Sequence, residues 1–278
     1  MQIINCQGGK YFGNKVCAAL GLEAIESDLH IFENGELLLS LGRAEGETYI
    51  VQSFERDSNN RLMELMLCID AARRSGATKI HAIIPYLCYS RLDRALLSGG
   101  SFGLEVIAGM LNHSGLSSIT TIDIHSPDSL RLFKIPVRNI PITNILLKDH
   151  RTVIAPDFGA QKRLESYAKD LIAFEKRRDG DDLYMKLLGD VRGKECLIVD
   201  DIIDSGRTMS MAASILMASG AKSVDAYATH AFLTRATSQI LYNAPIRHLM
   251  TSDIIENKKL HKKFTLLDLG PIVAKLLV

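Results

Sequence analysis

The chain has 278 residues, of which 47% are hydrophobic and 23% charged, with a formal net charge of +1. Such a length holds one large or two medium domains, and the composition is that of an ordinary globular protein. The near-neutral balance offers no electrostatic footprint for nucleic acid or for an anionic membrane. Five scattered cysteines, Cys6, Cys17, Cys68, Cys88 and Cys196, lack Cys-x-x-Cys spacing. They fit buried thiols in a reducing compartment better than a disulfide framework or a zinc site. No secretory leader pattern and no apolar run of transmembrane length stands out, so a cytoplasmic protein is expected.

Strands and helices are predicted to alternate along the chain. The strands fall at 47–53, 79–86, 119–124, 152–156, 171–174, 195–199, 223–230 and 247–251. Helices are predicted at 61–75, with Asn60 as N-cap and Gly76 as C-cap, and at 104–114, 160–170 and 209–219, the last closed by Gly220. This alternation predicts parallel sheets covered by helices on both faces. Two sheets fit better than one, with the seam in the proline-bearing stretch 136–143, giving domains 1–141 and 142–278.

The most informative segment is Leu197-Ile198-Val199-Asp200-Asp201-Ile202-Ile203-Asp204-Ser205-Gly206-Arg207-Thr208. A buried strand leads into a polar turn and then a helix. Backbone N–H groups and the Ser205 and Thr208 hydroxyls between Asp204 and Thr208 would converge as an anion cradle. Asp200 and Asp201, placed at the strand end, would accept hydrogen bonds from two vicinal hydroxyls. A phosphate grip beside a diol grip is a receptor for ribose 5-phosphate.

Ligands of open α/β sheets collect at the carboxyl ends of strands. Those ends carry Tyr89-Ser90-Arg91-Leu92-Asp93-Arg94, Asp123 with His125, Asp157 with Gly159, and Glu175-Lys176-Arg177-Arg178. Each alone has an ordinary structural explanation. Together they suit a magnesium-bound polyphosphate facing a ribose phosphate.

On these motifs the chain, from about Phe32 onward, resembles the ribose-phosphate pyrophosphokinases. Phe32-Glu33-Asn34-Gly35-Glu36 resembles the family's adenine-binding loop, with Asn in the place usually held by Asp. Gln52-Ser53 and Leu62-Met63-Glu64-Leu65 fit the strand and helix that follow. The resemblance implies two type I phosphoribosyltransferase-like α/β domains, of which the second keeps the phosphate loop. It implies ATP binding by Phe32, Asn34, Glu36, Arg91, Asp93 and Arg94, and Mg²⁺ held by His125 and Asp157. Lys176 and Arg178, with His125, are implied as catalytic, and the Lys176–Arg178 run as the start of a mobile loop that Gly180 frees. Asp200, Asp201, Asp204, Ser205, Gly206, Arg207 and Thr208 are implied to bind the ribose phosphate. The implied assembly is a homo-oligomer, dimer or hexamer, whose Phe32–Glu36 loop reaches a neighbouring site.

The chain also departs from the family pattern. Leu92 replaces a glutamine, 95–103 lacks the family's basic residues, Ala160 replaces a second glycine, and Arg207 stands where small residues are usual. The expected reaction is diphosphoryl transfer from Mg-ATP to the C1 hydroxyl of ribose 5-phosphate, releasing AMP. Alternatives are the same chemistry on a ribose with an extended 5-phosphate such as ADP-ribose, a phosphoribosyltransferase consuming phosphoribosyl pyrophosphate, and a non-catalytic paralogue.

Overall fold

The structure is a computed structural model. It describes residues 1–55, 57–95, 98–143, 151–179, 182–257 and 261–277, with the side chains of Arg178 and Asp179 outside it. Its strands are β1 (Gln2–Asn5), β2 (Ser27–Ile31), β3 (Leu37–Leu41), β4 (Gly46–Val51), β5 (Ala77–Ile84), β6 (Ser118–Ile122), β7 (Val137–Ile140), β8 (Thr152–Ala155), β9 (Leu171–Asp179), β10 (Asp182–Leu187), β11 (Glu195–Ile203), β12 (Ser223–Ala231), β13 (Leu249–Ser252) and β14 (Phe264–Leu267). Its helices are α1 (Lys10–Leu20), α2 (Ser58–Ser75), α3 (Gly103–His113), α4 (Phe158–Leu164), α5 (Arg207–Ala218), α6 (Arg235–Asn243) and α7 (Gly270–Leu277).

The chain divides into two compact units. One holds Met1–Ile140 with Ile254–Glu256 and Asp268–Val278; the other holds Pro141–Asp253 with Asn257–Leu267. The break at Ile140 falls inside the expected seam. The segment from Asp268 onward, expected with the second domain, packs instead with the first. There Arg138 Nη1 donates to the Leu276 carbonyl at 3.0 Å, and Gly270 lies so close to Lys15 that a Cβ would come within 2.8 Å of the lysine Cβ.

The first unit is built on a five-stranded parallel sheet in the order β1-β4-β5-β6-β7. Ile50, Ile80, Ala82 and Ile84 pack there with Leu65 and Ile69 of α2 and Leu104 and Leu111 of α3. A separate antiparallel hairpin pairs β2 with β3. At the ends of β1 and β4, Glu64 of α2 is buried and fully engaged. It accepts from the Gln7 N–H at 2.6 Å, Gln52 Nε2 at 2.9 Å and Arg61 Nη1 at 2.9 Å. A buried carboxylate persists only with such partners.

The second unit carries a seven-stranded sheet, β10-β9-β8-β11-β12-β13-β14, parallel except where β10 runs antiparallel to β9. From β8 the chain steps outward through β9 and β10, then returns to lay β11 on the other side of β8. The order therefore reverses between β8 and β11, which is where an open α/β sheet opens a crevice at its carboxyl edge. Ile154, Phe174, Ile198, Met209, Leu216 and Leu241 form the core beneath it.

Element boundaries depart from expectation in instructive places. Asn60, expected to cap α2, lies inside the helix and donates to Asp57 Oδ2 at 2.9 Å. Helix α4 begins two residues early because Asp157 caps it, and it ends at Leu164. Ser219, not Gly220, occupies the C-cap of α5, with Gly220 following at φ +89°. Strands β9 and β11 are both longer than predicted.

Candidate functional site

In the second unit, Asp157 follows β8 and caps α4, its Oδ1 accepting the Ala160 N–H at 2.9 Å. Its other oxygen, Oδ2, takes Lys176 Nζ from the neighbouring strand β9 at 3.1 Å. Burial alone would raise the Asp157 carboxyl. The Ala160 N–H and the Lys176 ammonium, with Arg163 behind them, hold it below its ordinary value.

Lys176, Arg177 and Arg178 lie within β9, facing Met185, Tyr184 and Leu183 of β10, rather than opening a loop after a short strand. Pairing with β10 supplies the backbone partners that let the strand run on through charged residues. Arg177 is exposed and Lys176 is half-buried. The side chain of Arg178, and Gly180 with it, lie outside the described residues.

Asp200 and Asp201 sit inside β11, not at its end, since pairing to β12 continues to Ile203 opposite Ala231. Both carboxylates face one cation. Arg163 Nη2 donates to Asp200 Oδ1 at 2.8 Å and to Asp201 Oδ1 at 2.6 Å. Burial, and then the adjacent Asp201 carboxylate, push the Asp200 carboxyl well above the usual range, with Arg163 acting against them. Arg163 was not foreseen from the sequence. It sits in the last turn of α4, where a basic residue reads as an ordinary helix-end charge.

The loop after β11 turns at Gly206, φ +77°, and leads into α5, whose first N–H groups have no acceptor within the helix. A Cβ at Gly206 would come within 3.0 Å of Leu241 Cγ and 3.3 Å of Thr237 Cγ2. Thr234 caps α6 by accepting the Thr237 N–H at 3.1 Å, and the Thr237 hydroxyl donates to the Asp204 carbonyl at 3.0 Å. The cradle is thus braced from beneath. Asp204, Ser205 and Arg207 are exposed and Thr208 is half-buried.

In the first unit, Arg91, Asp93 and Arg94 follow β5, with both arginines exposed. Tyr89 has φ +59°, an uncommon conformation for a side chain of that size, and its hydroxyl donates to Asn59 Oδ1 at 2.6 Å. Leu92 packs against the start of α3. A Cβ at Gly103 would lie 3.2 Å from Leu92 Cδ1 and 2.8 Å from Tyr89 Cδ1. His125 follows β6, two residues beyond Asp123, which is buried at φ +39°. Backbone strain of this kind persists where the surroundings enforce it, often at functional sites.

Phe32, Asn34 and Glu36 form the tight turn between β2 and β3. Asn34 Oδ1 accepts the Glu36 N–H at 3.1 Å, a bond an aspartate makes equally well, and Gly35 takes φ +88°. The turn is exposed, as are Ile31, Phe32 and Leu38 around it.

The profile described as the N-terminal domain of ribose phosphate pyrophosphokinase matches residues 1–115, and that of the phosphoribosyl synthetase-associated domain matches 172–276. A ribose-phosphate pyrophosphokinase of Rhizobium meliloti (strain 1021) is 32% identical over 272 residues, covering 92% of this chain and 88% of the relative. The chain belongs to the ribose-phosphate pyrophosphokinase family. Another member, from Vibrio parahaemolyticus, is 36% identical over 245 residues, 82% of this chain and 78% of its own. The crystal structure of phosphoribosylpyrophosphate synthetase from Mycobacterium smegmatis superposes with a TM-score of 0.89 at 26% identity. It covers 99% of this chain and 96% of that one. The α/β architecture expected for this family, parallel sheets flanked by helices, is the one observed.

Among the described residues no three His, Cys, Asp or Glu side chains gather into a metal-holding cluster. Asp157 offers a hard oxygen donor held in its ionised form, with lone pairs beyond those used by Ala160 and Lys176. His125 belongs to the first unit and Asp157 to the second.

Proposed function

We propose that this chain transfers the diphosphate group of Mg-ATP to the C1 hydroxyl of ribose 5-phosphate, giving phosphoribosyl pyrophosphate and AMP. The observation that carries this reading is the grouping at the β8/β11 crevice. Asp157, Lys176, Asp200 and Asp201 meet there, on a sheet whose next loop is a braced anion cradle.

The roles follow from the chemistry. Phosphoryl-type transfer asks the protein for positioning and charge stabilisation more than for covalent steps. The loop Asp204–Thr208 takes the 5-phosphate, and Asp200 and Asp201 orient the ribose hydroxyls. Lys176 and Arg178 stabilise the charge that develops on the transferring group, where preorganised cations count most. Arg91, Asp93 and Arg94, with Phe32, Asn34 and Glu36, serve ATP. For Mg²⁺, which when bound would neutralise polyphosphate charge, Asp157 would be the oxygen ligand in the second unit, and His125 is the residue assigned to the metal in the first. The exposed Ile31, Phe32 and Leu38 support a homo-oligomer, dimer or hexamer, in which this turn enters a neighbouring site. Five unpaired, buried cysteines support a cytoplasmic setting.

The test is product analysis with Mg-ATP, with and without ribose 5-phosphate. AMP formation that requires the acceptor is expected. ADP formation, or AMP formation indifferent to the acceptor, refutes the reading.

A second acceptor is favoured by one observation. Arg207, at the first position of α5, is exposed at the mouth of the cradle. A guanidinium there suits a second phosphate, as on a ribose whose 5-phosphate is esterified onward, ADP-ribose being one example.

A further inference from the structure

Two carboxylates that must grip neighbouring hydroxyls face a physical problem before any sugar arrives. Asp200 and Asp201 are consecutive, yet their Oδ1 atoms are drawn to a single point. Adjacent negative charges repel, and the effect strengthens away from bulk water. Burial and the neighbouring charge, with a hydrogen bond between the two side chains, favour protonation of Asp200, so keeping both acids charged and in place needs an opposing cation.

Arg163 supplies the missing constraint. One nitrogen, Nη2, meets both carboxylates, at 2.8 and 2.6 Å, and each acid contributes its Oδ1. The Arg163 side chain is only 17% exposed, so solvent screens these contacts little. Asp200 Oδ1 also accepts the Asp201 N–H at 2.9 Å, which ties the first carboxylate to the strand.

The arrangement is tied to the rest of the site. Arg163 rides on α4, the helix that Asp157 caps, and its Nη1 lies 3.6 Å from where a Cβ of Gly159 would stand. Asp157 Oδ1 lies 3.3 Å from the same point. The glycine of the Pro-Asp-x-Gly motif therefore leaves space between carboxylate and guanidinium. Helix α4 thus carries Asp157 at its N-cap and, in its last turn, the arginine that meets the other two acids.

We infer that Arg163 is a positioning residue for the acceptor, holding Asp200 and Asp201 at the separation that the ribose diol requires. The inference rests on the proposed reaction. Arg163 contributes least among the groups that hold Asp157 charged, behind the Ala160 N–H and Lys176, so its loss should weaken the acceptor far more than Mg-ATP.

The experiment measures KM for ribose 5-phosphate and for Mg-ATP, kcat and Tm in the wild type, Arg163→Ala and Arg163→Gln. Wild-type AMP formation that depends on ribose 5-phosphate comes first; without it the proposed reaction itself fails, and this inference with it. Given that activity, Arg163→Ala should raise KM for ribose 5-phosphate at least about tenfold, the range of a charge-assisted hydrogen bond. KM for Mg-ATP should stay within about twofold. Arg163→Gln keeps an N–H donor without the charge, and if alanine prevents folding it gives the same reading, with a rise of at least about threefold. An unchanged acceptor KM in the folded variant, or an equal rise for both substrates, overturns the positioning role while leaving the reaction intact.

Discussion

Lys176 reaches Asp157 across two adjacent parallel strands, its Nζ 3.1 Å from Oδ2. The ammonium is anchored beside the β8/β11 crevice while Arg177 is exposed. A cation held in place before substrate binds costs little reorganisation during transfer. Lys176→Ala is expected to lower kcat by about 10²-fold or more with little change in KM for ATP, and Arg178→Ala to do the same. Arg177→Ala should behave nearly as wild type. Steady-state kinetics decide it, and near-normal turnover in the first two variants would remove them from the catalytic set.

Metal dependence should follow the single-carboxylate character of Asp157. Chelation with EDTA should abolish AMP formation, and added Mg²⁺ should restore it. Asp157→Asn keeps the cap acceptor but lacks the charge, so its Mg²⁺ requirement should rise by about tenfold. A variant with an unaltered Mg²⁺ titration would place the metal elsewhere.

The turn at Gly206 leaves little space for a side chain, since a Cβ would stand 3.0 Å from Leu241 Cγ. Gly206→Ala would hold a non-glycine residue at φ +77° and press on Leu241, a strain of about 1–2 kcal/mol before any clash. The expected result is a lower Tm and a raised KM for ribose 5-phosphate, with KM for ATP unchanged. Calorimetry and kinetics on the same preparation separate the two effects.

Acceptor choice should turn on Arg207. The comparison is kcat/KM for ribose 5-phosphate against ADP-ribose, in wild type and Arg207→Gly. Preference for ADP-ribose, lost in the glycine variant, would establish the extended acceptor. A wild type that ignores ADP-ribose leaves ribose 5-phosphate alone.

Stability in acid should report on Asp225. Burial would raise this carboxyl, but Arg247, with Arg151 and the His248 N–H, holds it below the ordinary 3.8. A lowered folded-state value stabilises the fold above about pH 4, and that contribution disappears as pH falls through the lowered value. Asp225→Asn should lower Tm at pH 7, because it removes the carboxylate that the largely buried Arg151 meets, and should flatten the acid limb of the Tm–pH curve. An unchanged limb would show that other carboxylates set acid stability.

Much of this site was legible in the sequence because its groups sit at strand–helix junctions, where polar residues interrupt apolar runs. Asp157, Lys176 and the Gly206 turn stand out for that reason. What escaped was whatever depends on pairing between distant segments. Strand β9 extends through Lys176 and Arg177 only because β10 lies beside it, and β11 reaches Ile203 only because β12 does. A period-based reading stops where the apolar residues stop. Arg163 was hidden differently, since a helix-end arginine carries no signal of the acids it faces. The β2–β3 hairpin went unpredicted because Ile31 and Leu38 are exposed, against the usual alternation.

The packing of α7 against the first unit has a consequence for synthesis. Met1–Ile140 leave the ribosome early, yet the helix that joins them is translated only after all of Pro141–Asp253. The sheet and core of the first unit lie within its first 140 residues, but the α1 face that α7 covers stays open until the end of the chain emerges, so that unit is finished only after the second has been translated. A ribosome-stalled chain halted near residue 255 should leave α1 protease-sensitive, and release past residue 277 should protect it.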